Sequence, residues 1–290
     1  MSLNAIRWDI DIVALSSIVH RGSDNDAAGT DTTSSFRTER IITADGELLQ
    51  VPIVSGSSFR GVLRRIGEEL TAAVLDYEDA ALPVPAAHLL TNGGRLGKSA
   101  TPFNDEDERH LKALLPQIAV FGGAASGRIM SGLLSVGKVL PEVAELEHIL
   151  PRPPRTTALP AVYTFAEESF SHLADHRTHL GQAPRTDGDT EYTSPLGRFA
   201  AETLPAGIRL QTWVRIINAT DHQTAFLRDV LDAFASHGHL GGRVAAGYGT
   251  ITAALSTTAQ RGQLPDATVD WQSELKANRA EAIAALSKIT

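Results

Sequence analysis

The sequence contains no cysteine. That excludes disulfides, cysteine-ligated zinc, iron–sulfur clusters and thiol catalysis together. No apolar run approaches the ~20 residues that a membrane span requires. The first ten residues carry Asn4, Arg7 and Asp9, and so lack the apolar centre of a signal peptide. The expectation is a soluble, cytoplasmic protein with no membrane partner. Positive charge is also short: 26 Lys and Arg against 34 Asp and Glu leave a net charge of −8. A sequence-blind DNA coat rests on phosphate neutralisation, and this balance disfavours it. Only Lys98, Lys112, Lys138, Lys276 and Lys288 are lysines, so the other 21 basic residues are arginine. Arginine-heavy usage reflects either a GC-rich coding sequence or planar, bidentate phosphate recognition. Clustering of the arginines, rather than net charge, decides between them.

What the sequence does contain is enough apolar residue, 42% of 290, to bury a core. At roughly 150 residues per domain the length suits two domains or one large domain with insertions. Ile6, Trp8, Ile10 and Ile12 alternate with Arg7, Asp9 and Asp11, the period of a half-buried strand. The segment from Asp24 to Ser35 is almost free of apolar residues and reads as a loop. Asp45-Gly46 between Arg40–Ile42 and Leu48–Val54 signals a hairpin. Phe59, Val62, Leu63, Ile66 and Leu70 recur at threes and fours, predicting a helix from about Ser57 to Leu75 with Ser57 or Ser58 as N-cap. Leu82 to Ala119 reads as a partly helical insertion, and Arg128 to Leu140 as a strand. Arg152 to Gly197 is a second insertion with little to bury. Ile208 to Ile217 predicts a strand, Asp221 to Ser236 a helix, Tyr248 to Leu255 the last strand, and Trp271 to Ser287 a closing helix. The order β, α, β, β, α, β is the split βαβ, ferredoxin-like plan. Fold alone does not specify function.

Two segments carry chemistry. Ser55-Gly56-Ser57-Ser58 lies at a strand-to-helix turn, where free helix amides attract anions. Arg60, Arg64 and Arg65 follow with no acid before Glu68, and Arg60 and Arg64 share a helix face. This is a polyanion track or, equally, an N-capped helix with a solvated basic side. It is not a Walker loop, because the G-x-x-x-x-G-K-[ST] pattern is missing. The second segment, Leu240 to Gly249, places four glycines between a helix and a strand, permitting close approach of backbone or ligand. Its bland counterpart is a tight connection to an inner strand. The run Phe121 to Arg128 precedes a strand, so it does not fit a dinucleotide fingerprint. His172, His176 and His179 would share one face of a helix over Ser169 to Leu180, although a surface cluster fits their surroundings better. His237 and His239 read as local hydrogen-bonding groups. Asp24, Asp26 and Asp31 form at most a weak carboxylate loop. No cofactor and no metal site is expected.

The run Val51 to Arg65 together with Gly241-Gly242-Arg243-Val244-Ala245-Ala246-Gly247-Tyr248-Gly249 resembles the RAMP superfamily of CRISPR-Cas proteins, and within it the repeating backbone subunits. Phe121-Gly122-Gly123, the strand from Arg128, and Glu202 to Ile208 resemble it too. The resemblance covers about residues 5 to 256. His20-Arg21-Gly22, Phe36 to Ile42, and His88 to Gly94 look most like the type IV branch. It implies an α+β fold: an RRM-like, ferredoxin-like palm over 1–256, a helical finger insertion at about 76–120, a thumb hairpin at about 152–200, and a C-terminal linker and helix over 257–290. It implies a subunit that binds CRISPR guide RNA and packs palm to thumb with further copies of itself, alongside other effector-complex subunits and a complementary target nucleic acid. The RNA contacts it implies are His20 and Arg21; Ser55, Gly56, Ser57, Ser58, Arg60 and Arg64; Gly241, Gly242 and Arg243; and, as additions, Arg128, Arg152 and Arg155.

One departure bears on catalysis. Type III relatives carry a nuclease aspartate in the loop after strand one, and here the comparable place reads Thr33-Ser34-Ser35. No nuclease activity is therefore expected. The alternatives are a type III-like metal-dependent endoribonuclease using Asp24, Asp26 or Asp31, and a guide-processing nuclease built on His20 or His88. A protein scaffold that binds no RNA would leave both motifs unexplained.

Overall fold

The alternating N-terminal segment forms β1 (Asn4–Ala14), whose even-numbered residues from Ile6 to Ala14 are buried on one face. The computed structural model describes residues 3–22, 33–77, 81–99, 102–173, 196–266 and 268–289. After β1 come β2 (Thr33–Ser34) and a hairpin, β3 (Thr38–Ile42) and β4 (Leu48–Pro52), closed at Asp45-Gly46. Next are the long helix α1 (Gly56–Leu75) and the helices α2 (Val84–Asn92), α3 (Asp105–Leu114) and α4 (Pro116–Phe121). Four short strands follow: β5 (Gly123–Ala125), β6 (Arg128–Met130), β7 (Leu134–Val136) and β8 (Leu140–Pro141). An antiparallel pair, β9 (Ala166–Leu173) and β10 (Leu196–Thr203), leads to β11 (Arg209–Ala219), α5 (Asp221–His237) and β12 (Ile251–Arg261). The chain closes with α6 (Trp271–Ala277) and α7 (Arg279–Ser287).

The central sheet has the order β12-β1-β11-β7, with β8 also on β11, and every pairing is antiparallel. Numbering its four main strands by chain position gives the order 4-1-3-2 of the ferredoxin-like plan. The α+β fold expected from the sequence is the fold observed. The helices α1 and α5 cover one face because their apolar stripes match the buried side of the strands. Phe59 of α1 meets Phe234 of α5 edge-on at 5.3 Å, over Trp8, Ile10, Val214 and Ile216. Burying a side chain of this size contributes roughly 1.5–3 kcal/mol. Gly67 allows α1 to approach its neighbours, since a Cβ there would stand 2.4 Å from the Gln117 side-chain oxygen. Trp271 docks the C-terminal helices edge-on against Phe226 at 4.9 Å, and its indole N–H donates to Asp229 at 2.8 Å.

Part of the opposite sheet face is covered by a strap. Arg152 pairs with Asp9 at 3.0 Å and with Asp11, and Arg155 pairs with Asp11 as well. Gln211 holds the same strap, accepting from the Arg152 N–H at 3.1 Å and donating to Glu142 at 2.9 Å.

Several expectations need correction. The strand expected over Arg128 to Leu140 is three short pieces, β6, β7 and β8, interrupted where Gly132 and Gly137 pass close to Phe121 and Trp213. The N-cap of α1 is Ser55, whose hydroxyl accepts the Ser58 N–H at 3.2 Å, rather than Ser57 or Ser58. The closing helix is two helices that meet at Asn278. His172 lies in strand β9, so its three-histidine helix face does not form; His176 and His179 lie outside the described residues, as do Asp24, Asp26 and Asp31.

Candidate nucleic-acid interface

Three segments far apart in sequence meet at the start of α1. The chain leaving β1 passes Val19, His20 and Arg21. The Ser55 turn opens the helix. The glycine-rich loop returns from α5. Gly242 donates to the Val19 carbonyl at 2.8 Å, and Gly249 donates to the Ser17 carbonyl at 2.8 Å. The Ser55 N–H donates to the His20 Nε2 at 3.2 Å. Strand β10 and the residue after it close the junction: Ile18 bridges Leu204, the Phe36 N–H donates to Glu202 at 2.8 Å, and β2 pairs with β10. Tyr248, in the glycine-rich loop, is hydrogen-bonded to Glu168 of β9, which pushes its phenol pKa up.

The turn has the electrostatics of an anion cradle. Ser55 caps one amide of α1, and no acidic residue occupies the first turn. The N–H groups of Gly56 and Ser57 have no hydrogen-bond partner among the described residues. They lie at the positive end of a 20-residue helix dipole. Arg21 is exposed one residue beyond His20, and Arg243 is exposed in a left-handed backbone conformation (φ 58°). Of the residues expected to touch RNA, the structure brings together His20, Arg21, Ser55, Gly56, Ser57, Ser58, Gly241, Gly242 and Arg243. Arg37 joins them: its backbone N–H donates to the His20 carbonyl at 2.7 Å, and its charge bears on the His20 ring. Arg37 stood inside a recognisable run, but nothing in its local pattern marked it as part of this junction.

The remaining arginines are elsewhere. Arg64 is buried, and its guanidinium donates to the carbonyls of Phe121 (2.7 Å), Gly122 (3.0 Å) and Leu89 (3.2 Å). Arg60 donates to the carbonyls of Leu134 (2.7 Å) and Phe121 (2.8 Å). Both clamp the inserted helices to α1 by satisfying carbonyls at the end of α4, the negative end of that helix. Burial, with the Arg60 charge beside it, pulls Arg64 down to about 10, so it stays protonated at neutral pH. Burial lowers Arg60 too. Arg128 is held by Asp105 at 2.6 Å and by Glu108, while Arg152 and Arg155 belong to the strap. These five side chains have internal partners. Arg65, the exposed member of the α1 trio, faces His239. His88 is exposed on α2, and no hydrogen bond or ring contact links it to His20, so the structure forms no two-histidine acid–base pair.

His20 must be neutral to accept the Ser55 N–H. Burial first, and the Arg37 charge second, hold its pKa below the usual 6.5; burial and Arg65 do the same to His239. The unfolded chain therefore takes up these protons at higher pH than the folded chain does. The folded state keeps its full margin above about pH 6.5 and loses it as pH falls from there toward the native pKa values. Urea midpoints compared between about pH 8 and about pH 5 should fall less in His20→Gln than in the wild type. Equal pH slopes in the two chains would show that His20 contributes nothing.

Comparison with known proteins follows the same lines. The family model for the RAMP superfamily matches residues 12–252. No match was found among curated proteins. A solved chain from a structure described as a type IV-B CRISPR complex is 55% identical, with a TM-score of 0.63; the alignment covers 93% of this chain and 98% of the solved one. Among the described residues no helix is long and apolar enough to cross a membrane. A ferredoxin-like palm, a glycine-rich loop docked on the strand-one exit and a family match over most of the length lead to one conclusion: this chain belongs to the RAMP superfamily.

Proposed function

We propose that this protein is a non-catalytic, guide-RNA-binding backbone subunit of a type IV-like CRISPR effector complex, repeated along the RNA. The observation that carries the reading is the convergence at the α1 N-terminus. Two unpartnered amides, three serines and the cations Arg21, Arg37 and Arg243 face one junction, closed by β10 and the residue after it. A phosphate at the turn would accept from the Gly56 and Ser57 amides, with Arg21 and Arg243 on either side. Such a track reads backbone rather than base, as a subunit that repeats along different guides requires. The strap formed by Arg152 and Arg155 covers part of the sheet face on which RRM-type domains stack bases, which also favours the junction. Net acidity is compatible with this reading, because the basic residues that face the junction are local.

The test is co-expression with a candidate guide, followed by size-exclusion chromatography at 260 and 280 nm. The wild type should elute as a large, RNA-rich species, and Arg21→Ala/Arg243→Ala as a small, RNA-poor one that still unfolds in a single cooperative transition. Arg60→Ala/Arg64→Ala is the wrong variant for this purpose, since it removes the clamp on the inserted helices. An RNA-free wild-type monomer would overturn the proposal and return the protein to the scaffold reading. Mg²⁺-dependent cleavage of guide-complementary RNA would instead favour the type III-like enzyme.

A further inference from the structure

The central sheet has two margins, and they are built differently. On one side β11 pairs only with the three residues of β7 and the two of β8. Short, interrupted strands are one way in which proteins keep a sheet edge from pairing with other chains. On the other side stands β12, 11 residues long and paired along its length with β1 alone. An antiparallel strand turns the N–H and C=O of every second residue away from its neighbour. Among the described residues, no group bonds to those outward N–H and C=O groups of residues 252–260.

The edge also lacks the other common guards. Residues 252–260 contain no charged residue, no proline and no glycine. The register against β1 shifts only at Ala5 and Ile6, so the middle of the strand has no bulge. The first cation, Arg261, is occupied: it donates to the Leu3 carbonyl at 3.2 Å and to Asn218. Residues 256–261 are all exposed, on both faces of the sheet.

The helix-side face of β12 selects what fits beside it. Ala253 and Leu255 pack against the main core. Thr257 and Ala259 continue the same face and lie opposite Trp8 and Ile6, which are buried. The core thus ends at Thr257 and Ala259, which form an exposed rim. A further strand would set alternate side chains against this rim, and β-branched ones suit a pleated, half-buried surface best. Its remaining side chains would stand on the opposite face, beside Ser256 and Thr258.

We infer that the free edge of β12 is a docking site for an extended segment of a partner protein, which adds one strand to the central sheet. The segment is uncharged at its centre and carries Val, Ile or Thr at alternate positions. A second copy fits less well, because β12 against β12 would set Thr and Ala against Thr and Ala, side chains too short to cover the rim. The exposed stretch lies opposite residues 5–9 of β1, the end remote from the junction proposed to hold RNA. The inference therefore stands apart from the RNA reading.

The probe is a fluorescein-labelled peptide of four Thr-Val repeats with a lysine at each end. Its binding to the full chain is followed by fluorescence anisotropy, and its position by amide hydrogen exchange in nuclear magnetic resonance spectra. Binding should saturate, and exchange should slow at every second residue of 252–260. That two-residue period marks a strand added at the edge, whereas adhesion to an apolar face would not produce it. The same peptide methylated at every backbone nitrogen should bind roughly tenfold or more weakly, because it has lost its donors. Thr257→Lys/Ala259→Lys should weaken binding of the unmethylated peptide by roughly tenfold or more, as lysine does on guarded edges. Both positions are exposed, and unchanged exchange at the β1 amides would show that the variant is folded. No peptide binding, slowing without the two-residue period, or equal affinity for the methylated peptide would overturn the docking site. A peptide-free dimer in sedimentation velocity, with alternate β12 amides protected, would overturn the partner segment as occupant and put a second copy in its place.

Discussion

Arg64→Ala is expected to lower the stability of the chain by about 3 kcal/mol or more. The guanidinium makes three charge-assisted hydrogen bonds to carbonyls at 2.7, 3.0 and 3.2 Å in a site where the residue is 7% exposed. Removing it takes that donor from the Leu89 and Gly122 carbonyls, and each orphaned buried group costs on the order of 1–3 kcal/mol. In a chain of this size that is a drop in melting temperature of roughly 6 °C or more. Arg64→Lys retains the charge and loses the planar fork that reaches three oxygens, so it should recover only part of the loss. Arg65→Ala, one position along and exposed, should change stability by no more than about 0.5 kcal/mol. A wild-type midpoint in Arg64→Ala would show that the clamp is dispensable.

The second large effect is expected at Gly241. Its φ is +78°, and a Cβ built there would stand 2.1 Å from the Val19 carbonyl oxygen. That same oxygen accepts the Gly242 N–H, and His20 is the next residue along. Gly241→Ala therefore drives the glycine-rich loop away from the strand-one exit and opens the junction proposed to hold RNA. Affinity for single-stranded RNA should fall roughly tenfold or more; if the Arg243 phosphate contact is lost, the slope of log K against log salt should flatten by about 0.7. Gly247→Ala supplies the control. Its φ is +88°, but nothing lies within 4 Å of the added methyl, so it isolates backbone strain of about 1 kcal/mol from the collision. Equal RNA affinities for the two variants would mean that contact with Val19 does not position the loop.

What the sequence determined by itself is the set of features whose causes are local. The alternation in β1 and β11, the stripes of α1 and α5, the Asp45-Gly46 turn and the Ser-Gly-Ser-Ser helix start each depend on neighbours a few residues away. Their chain order was enough to indicate the ferredoxin-like plan. The two motifs that meet at the junction, Ser55 to Ser58 and Gly241 to Arg243, were also legible, because cap and left-handed backbone chemistry select few residue types. The interruption of the Arg128 to Leu140 stretch was not, since it follows from close approach to Phe121 and Trp213.

Only the tertiary structure decided what the arginines do. Arg60 and Arg64 stand four apart and do share a helix face, but that face looks inward. Arg64 finds its Phe121 carbonyl 57 residues away, and Arg152 finds Asp11 141 residues away. Arg128, likewise, is taken by two carboxylates of α3. A guanidinium carries the same charge and the same five donors whether a phosphate, a carboxylate or a backbone carbonyl awaits it. Its neighbours in sequence do not say which acceptor arrives; that depends on how distant segments pack, and packing leaves Arg21 and Arg243 exposed at the junction while it turns Arg60, Arg64, Arg128, Arg152 and Arg155 to acceptors elsewhere in the chain.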